Sequence, residues 1–475
     1  MARAGPEFLI VMTTDTKYRA AYEAGPLGQA VARLRATLGP PGAVLACVGI
    51  AALLTFLALH QLLYAGALLY LAVFWIVSWR QPGIALMLIL AAAPFQNDLS
   101  GGGGAKFSIA EVNLMLTLPV FYGFCLVRKQ LPKVGPILLP VMLYFMVCLC
   151  SSLLHWQGGD AIISLVQMFL YFIVAVAVFC SFAARSEQMM PAFYVLVGVG
   201  VFLAIMGLAT NYWFIGLNKN GIAASLASAF LVGIDLCLAA RAKPKRRWLL
   251  AALAVIGVGL LMSLSRGAWM GTLCGVVFIF LLRREYKLLG RVALAMLPLL
   301  AIFWIALPPD AKDYAMGFGT EHYNIKLRYD SLDIARGYFN QSPLYGMGVG
   351  LRKNYDATNV LMMTLAETGV LGLAAFLLIH ISFYRMIWKA QAWIVPSETL
   401  YTFLCIGGAL VLDKFVHGLV DHYWSRGAIM AAWGSAGMAS RAYYIAQGRA
   451  SLAQAGIAPQ PDALVEDAAL GRRLI

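Results

Sequence analysis

Long apolar runs are the feature that most constrains the fold of this chain. Fourteen such runs alternate with short polar segments between residues 43 and 446. A helix of about 20 apolar residues crosses the hydrocarbon core of a bilayer. Lipid offers no hydrogen-bond partners, so the backbone polar groups of such a segment must bond to one another, as they do in a helix. The runs therefore predict an all-α, polytopic helical membrane protein with about 12–14 transmembrane helices and one large loop. They cover residues 43–60, 62–79, 83–97, 109–127, 136–155, 162–184, 191–211, 221–240, 247–264, 267–283, 290–307, 358–386, 398–420 and 426–446.

The composition excludes a soluble protein and explains the positive charge. Hydrophobic residues make up 61% of the chain and charged residues 12%, whereas soluble domains are about 45–50% apolar and about 25% charged. With the N-terminus inside, the cytoplasmic segments receive 25 of the 36 Lys and Arg residues and the opposite side receives 10. This bias is typical of cytoplasmic loops. The distribution therefore predicts cytoplasmic termini. It also accounts for the net charge of +14, so we expect no nucleic-acid partner.

Five segments follow from this topology. We expect a cytoplasmic N-terminal segment over 1–42, helices over 43–307, a large periplasmic loop over 308–357, further helices over 358–446 and a cytoplasmic tail over 447–475. A loop of this length usually has a function, and its many aromatic residues favour an ordered structure. Within it, residues 327–340 predict an amphipathic helix, which the Gly-rich run 346–350 ends.

Motifs for metals and cofactors are missing from the sequence. The eight Cys residues all fall within apolar runs and none has the spacing of a metal site. The chain has no P-loop, no GxGxxG, no HExxH and no external Asp-x-Asp. We therefore expect neither a metal nor a cofactor.

Three segments on the predicted outer side carry polar side chains that could form one site. Arg266 stands at a junction between two runs, and an arginine at membrane depth is costly unless it faces a polar cavity. Guanidinium groups bind diphosphate oxygens in two-pronged fashion, so the cluster predicts a site for a lipid diphosphate. The simpler alternatives are a snorkelling anchor for Arg266, a solvated helix face for Arg328 and an ordinary loop histidine for His322. The group also includes Arg336 and Arg352 of the loop, and Asp421 and His422 of the last external turn.

Short motifs in this region resemble those of the O-antigen ligase and Wzy-type polysaccharide polymerase superfamily. Residues 263–268 (SLSRGA) are similar to its Ser-Arg-Gly motif, and 342–350 (SPLYGMGVG) to its Pro-Leu-x-Gly-x-Gly turn. Asn359 followed by 365–372 (LAETGVLG) resembles the start of the helix after its loop, and 217–220 (LNKN) is a weaker match. The resemblance covers roughly residues 217–372.

The resemblance implies transfer of glycans from undecaprenyl diphosphate to an acceptor glycan outside the bacterial inner membrane. Arg266 and Arg328 would bind the diphosphate, with His322 as a third catalytic candidate. Thr358 replaces the histidine that ligases of the family carry before Asn359. His422 and Glu367 are other replacements, although Glu367 lies about 12 Å deeper along a helix and is better read as structural. The predicted substrate-binding residues are Lys219, Arg336, Arg352, Asn359, Asp421 and His422.

Three functions remain open at this point. Thr358 favours a Wzy-type polymerase of O-antigen, capsule or exopolysaccharide repeats, which leaves room for a chain-length regulator as partner. A ligase that transfers lipid-linked polymer to a lipid A-core or another terminal acceptor would use the same chemistry. A transporter or flippase also fits the helix number, although we detect no internal repeat of the kind that many transporters have.

Overall fold

The computed structural model describes residues 62–95, 107–128, 131–182, 186–212, 217–240, 243–317, 323–355, 357–424 and 426–454. The predicted N-terminal segment 1–42, the predicted run 43–60, most of the predicted tail and His322 lie outside these residues. In the described ranges the chain forms helices, which confirms the predicted all-α polytopic class. They are α1 (Leu62–Arg80), α2 (Pro82–Ala92), α3 (Ile109–Arg128), α4 (Leu138–Leu154), α5 (Gly159–Phe182), α6 (Ser186–Ala209), α7 (Lys219–Ala239), α8 (Lys243–Met262), α9 (Arg266–Leu282), α10 (Tyr286–Ala306), α11 (Pro309–Met316), α12 (Tyr323–Gln341), α13 (Leu351–Asn354), α14 (Val360–Ala390), α15 (Thr399–His417) and α16 (Arg426–Gln454).

Seven of the described helices are long and apolar enough to cross a membrane, namely α3, α5, α6, α7, α10, α14 and α15. Shorter apolar helices lie in α1, α2, α4 and α9. The chain divides into two compact units, residues 1–76 with 119–131 and residues 77–118 with 132–475. Every contact discussed below lies within the second unit.

Helix α15 forms the centre of this unit. It packs against α7, α9 and α16, and its residues 400–411 are all buried. The close approach of α9 to its neighbouring helices depends on Gly267, Gly271 and Gly275. These glycines share one face of α9 because they are spaced four residues apart. Gly267 packs against His417 and Gly271 against Asp413, both of α15. Small residues at such spacing let membrane helices come close together.

Helix α14 is broken in its middle, and the loop before it forms hydrogen bonds with the backbone groups that the break leaves open. Gly369 has φ +66° and ψ −165°, a conformation that only glycine adopts without strain. The backbone groups freed by the break bond to residues 343–348: Met347 N–H donates to Ala366 O at 2.8 Å, and Val370 N–H donates to Pro343 O at 2.9 Å. Inside a membrane protein, irregular backbone is tolerated only where it is paired in this way.

The run 342–350 thus has a different role from the predicted one. Helix α12 already ends at Gln341, and the Gly-rich run that follows packs into the break of α14. A Cβ at Gly346 would overlap the backbone of Glu367, and one at Gly350 would lie 2.7 Å from the backbone of Asp160. Both glycines also have positive φ, so backbone conformation and close packing each require glycine here.

Candidate functional site

Three helix N-termini meet the C-terminal end of α15. Gly267, in the first turn of α9, packs against His417. Val360 N–H, at the start of α14, donates to Gly418 O at 2.7 Å. The start of α7 faces the same end across a small cleft. Each helix N-terminus carries about half a positive charge, so three of them together favour an anion.

The cleft between the start of α7 and the end of α15 has a volume of about 130 Å³. That is room for several water molecules or a phosphate group. Asn218 caps α7, because its Oδ1 accepts the Gly221 N–H at 2.9 Å. The predicted residues Asp421 and His422 both lie on the wall of the cleft. Its lining consists of Asn218, Asn220, Gly221, Ala224, His417, Asp421 and His422.

Lys219 and Arg266 stand at the first positions of α7 and α9, and both are held by the segment around α11. The Lys219 ammonium donates to the Tyr314 hydroxyl and lies 3.7 Å from the centroid of its ring. Arg266 NH1 donates to Gly317 O at 2.8 Å. Both predicted residues therefore have their cationic groups on the same side of the site, beside α11.

The two predicted arginines of α12 differ in their surroundings. Arg328 is half-buried, in the first half of α12. Ser331, one turn later, anchors the helix because its hydroxyl donates to Ala357 O at 3.2 Å. Arg336 is exposed and lies two turns further along, about 12 Å away.

Arg352 is committed to a buried ion pair. Its NH2 lies 2.6 Å from Glu367 Oε2, and both side chains are almost fully buried. The backbone N–H groups of Gly350 and Arg352 also donate to Glu367 Oε1, and the guanidinium lies 4.2 Å from the centroid of the Trp424 ring. The contacts of Arg352 join α13, α14 and the turn before α16, and its predicted role in substrate binding stays a prediction.

Asn359 ties the start of α14 to residues 418–424, which we call the 418–424 turn. Its Oδ1 accepts the N–H groups of Leu361 and Met362, both at 3.0 Å, and its Nδ2 donates to Leu419 O at 2.8 Å. The side chain predicted to bind substrate is therefore a helix cap. Thr358 beside it has φ +51°, which is a strained conformation for a β-branched residue.

The sequence interpretation missed His417. The ring lines the cleft, its side chain is 5% exposed, and its Nε2 lies 3.7 Å from Asp421 Oδ2. Among the described residues this Nε2 has no hydrogen-bond partner. A histidine and an aspartate four residues apart, across the end of an apolar helix, were the signal that could have revealed it.

Asp421 remains ionised in this setting. Burial alone would raise the pKa of its carboxyl, but the contact with His417, the neighbouring charges and the His422 backbone N–H hold that pKa below its usual range. The His422 N–H donates to Asp421 Oδ1 at 2.7 Å. The cleft thus holds an anionic carboxylate beside an imidazole, and the cationic residues Lys219 and Arg266 begin the helices α7 and α9 next to it, an arrangement suited to neutralising a diphosphate and accepting a proton.

Comparison with known families gives one match. Residues 251–377 match the family model of the O-antigen ligase. The matched segment runs from α8 into α14 and includes Arg266, Arg328 and Arg352. It confirms the resemblance to the O-antigen ligase and Wzy-type superfamily, whose members are glycosyltransferase-like enzymes acting on lipid-linked glycans. A search of curated proteins finds no match to this chain.

Proposed function

We propose that this chain, which carries an O-antigen ligase domain over residues 251–377, transfers a glycan from undecaprenyl diphosphate to an acceptor glycan at the outer face of the bacterial inner membrane. One observation supports this proposal above the others. The N-termini of α7, α9 and α14 meet the C-terminal end of α15 beside a polar cleft, and Lys219 and Arg266 stand at the first positions of α7 and α9.

In the proposed reaction, Arg266 and Arg328 neutralise the diphosphate as its bond to the sugar C1 breaks. Both charge and orientation matter here, since fixed cationic donors stabilise a developing negative charge without rearranging. The acceptor hydroxyl attacks C1 from the opposite face, so an α-linked donor yields an inverted anomeric centre. Arginines in this role make a metal ion unnecessary for neutralising the leaving group.

We favour a polymerase over a ligase within this chemistry. Thr358 stands where ligases of the family carry a histidine, and its hydroxyl is no base. The family model bears the name of the ligase, so a ligase using a terminal acceptor is the second candidate. A transporter fits less well, because the polar cleft lies at the C-terminal end of α15, whereas transporters bind their substrates near the middle of the membrane.

The test is the lipid-linked glycan profile of a deletion strain complemented with the wild type or with Arg266→Ala. We expect the deletion strain without complementation to accumulate single repeats on the lipid carrier. The Arg266→Ala strain should do the same, because the leaving diphosphate is no longer neutralised. Long polymer stranded on the carrier would identify a ligase instead. Normal polymer in the Arg266→Ala strain would overturn the proposed function.

A further inference from the structure

One titratable pair at the cleft has no role yet in the proposed reaction. His417 ends α15, and Asp421 follows four residues later in the 418–424 turn. Both side chains line the cleft. The imidazole is held on one edge by α9, since a Cβ at Gly267 would lie 2.7 Å from His417 Cδ2 and 3.1 Å from its Nε2. Its position is thus set by packing, as a catalytic group requires.

The contact with Asp421 orients the ring. A carboxylate beside one imidazole nitrogen favours the proton on that nitrogen, so Asp421 favours the Nε2–H tautomer. The other nitrogen, Nδ1, then carries the lone pair. The distance of 3.7 Å exceeds that of a hydrogen bond, and such bonds between catalytic groups often tighten only when substrate is bound.

The two other groups near the start of α14 are less suited to accept a proton. Thr358 offers only a hydroxyl, and Glu367 is paired with Arg352 and two backbone N–H groups. His417, by contrast, lines the cleft. The charged and titratable groups that act on the ring or share its cleft are Lys414 of α15, Asp421 and His422 of the turn and Arg328 of α12. Asp413 lies four residues earlier in α15, and Arg266 precedes Gly267, which packs against the ring.

We propose that His417 is the general base of the transfer reaction and that Asp421 positions and stabilises it. This inference rests on the proposed function. The acceptor hydroxyl oxygen forms a bond to C1 of the donor sugar as the bond from C1 to the phosphate oxygen breaks. The bonding electrons leave with the diphosphate, and the hydroxyl proton moves to His417 Nδ1. Asp421 stabilises the imidazolium until the proton passes to water.

The test uses the full chain in nanodiscs, with the lipid-linked glycan extracted from the deletion strain as donor. We expect His417→Gln to lower kcat by about 10²–10⁴-fold with little change in KM. Binding of farnesyl diphosphate, a probe for the diphosphate site, should stay unchanged in His417→Gln and weaken in Arg266→Ala. His155→Gln, outside the cleft, is the matched control and should keep the wild-type kcat.

A pH profile separates a base from a merely structural histidine. The wild-type kcat should fall at acidic pH as the imidazole takes up a proton, and Asp421→Asn should move this fall to lower pH because the imidazolium loses its carboxylate. The Asp421→Asn variant decides the matter if His417→Gln does not fold. Wild-type kcat in His417→Gln, or an unmoved acidic limb in Asp421→Asn, would overturn the base assignment. If Arg266→Ala is then inactive, the proposed function stands without this base; an active Arg266→Ala overturns both.

Discussion

At the scale of single residues, position relative to the backbone decides what a charged side chain can do. Arg266 begins α9, and its NH1 donates to Gly317 O just after α11. Arg352 is surrounded by Glu367 and Trp424 and cannot leave without exposing a buried carboxylate, which is costly. Arg266 and Arg352, predicted as a diphosphate-binding and a substrate-binding residue, therefore differ in their surroundings.

Lys353 provides a prediction at this scale. Its ammonium donates to Gln167 Oε1 at 2.5 Å. Burial, and next the charge of Arg352, lower the pKa of Lys353 to about 8, against the opposing effect of Glu111, Glu367 and Asp160. The folded protein therefore carries this charge at a cost below pH 8 and releases the proton before the unfolded chain does.

The stability of the folded protein should accordingly rise between about pH 8 and the pKa of a free lysine, about 10.4. Thermal unfolding in detergent at a series of pH values measures this, with Lys353→Met as the comparison. We expect Lys353→Met to lose the rise. Equal pH dependence in both proteins would show that Lys353 has an ordinary pKa.

At the scale of elements, the broken helix α14 and the run 342–350 form one unit. Neither segment can satisfy its own backbone: the break leaves carbonyl and N–H groups open, and the loop supplies their partners. Ser151 of α4 strengthens the joint, because its hydroxyl donates to Glu367 O at 2.6 Å. The Gly-rich motif is thus explained by packing, independently of any substrate.

Substitution of Gly369 tests this element. Gly369→Ala should destabilise the protein by about 3 kcal/mol or more, since the residue adopts a glycine-only conformation and a Cβ would overlap the backbone of Leu344. Gly337→Ala in α12 is the matched control, because a Cβ there meets nothing within 4 Å, and alanine favours a helix by about 1 kcal/mol. Similar melting temperatures for both variants would contradict the role of the break.

At the scale of the whole second unit, the helices that form the cleft are joined at their opposite ends. Arg283, just after α9, lies 2.5 Å from Asp235 of α7 and donates to the Thr402 hydroxyl of α15 at 3.1 Å. Burial alone would lower the pKa of the Arg283 guanidinium, but Asp235 raises it above its usual value. The three helices that place the cleft are therefore held together by one charged cluster.

Removing one member of this cluster should destabilise the fold. We expect Asp235→Asn to cost about 3–5 kcal/mol, because it leaves a buried guanidinium without its counter-charge. Glu398→Gln is the control: it breaks the Arg449–Glu398 pair, whose side chains are about one-third exposed, and should cost about 1 kcal/mol or less. Chemical denaturation of both variants in detergent measures the difference. Equal losses of unfolding free energy in the two variants would contradict the stabilising role of the charged cluster.

The sequence by itself determined the class of the protein and the position of most helices. Lipid accepts few backbone structures, so apolar runs such as 221–240 and 398–420 predict helices that the structure contains as α7 and α15. The motif around Arg266 likewise indicated the family, because an arginine followed by a glycine at a helix start is a pattern of adjacent residues that can be read directly from the sequence.

Only the tertiary structure decided which polar groups meet. His417 lies 150 residues after Gly267, and no periodicity in either helix reports that α9 packs its glycine face against that imidazole. The pairing of Arg352 with Glu367, and the hydrogen bonds from residues 343–348 to the break in α14, are likewise contacts that the sequence does not predict. Such contacts depend on how helices pack side by side, and packing is a property of surfaces that are distant in the chain.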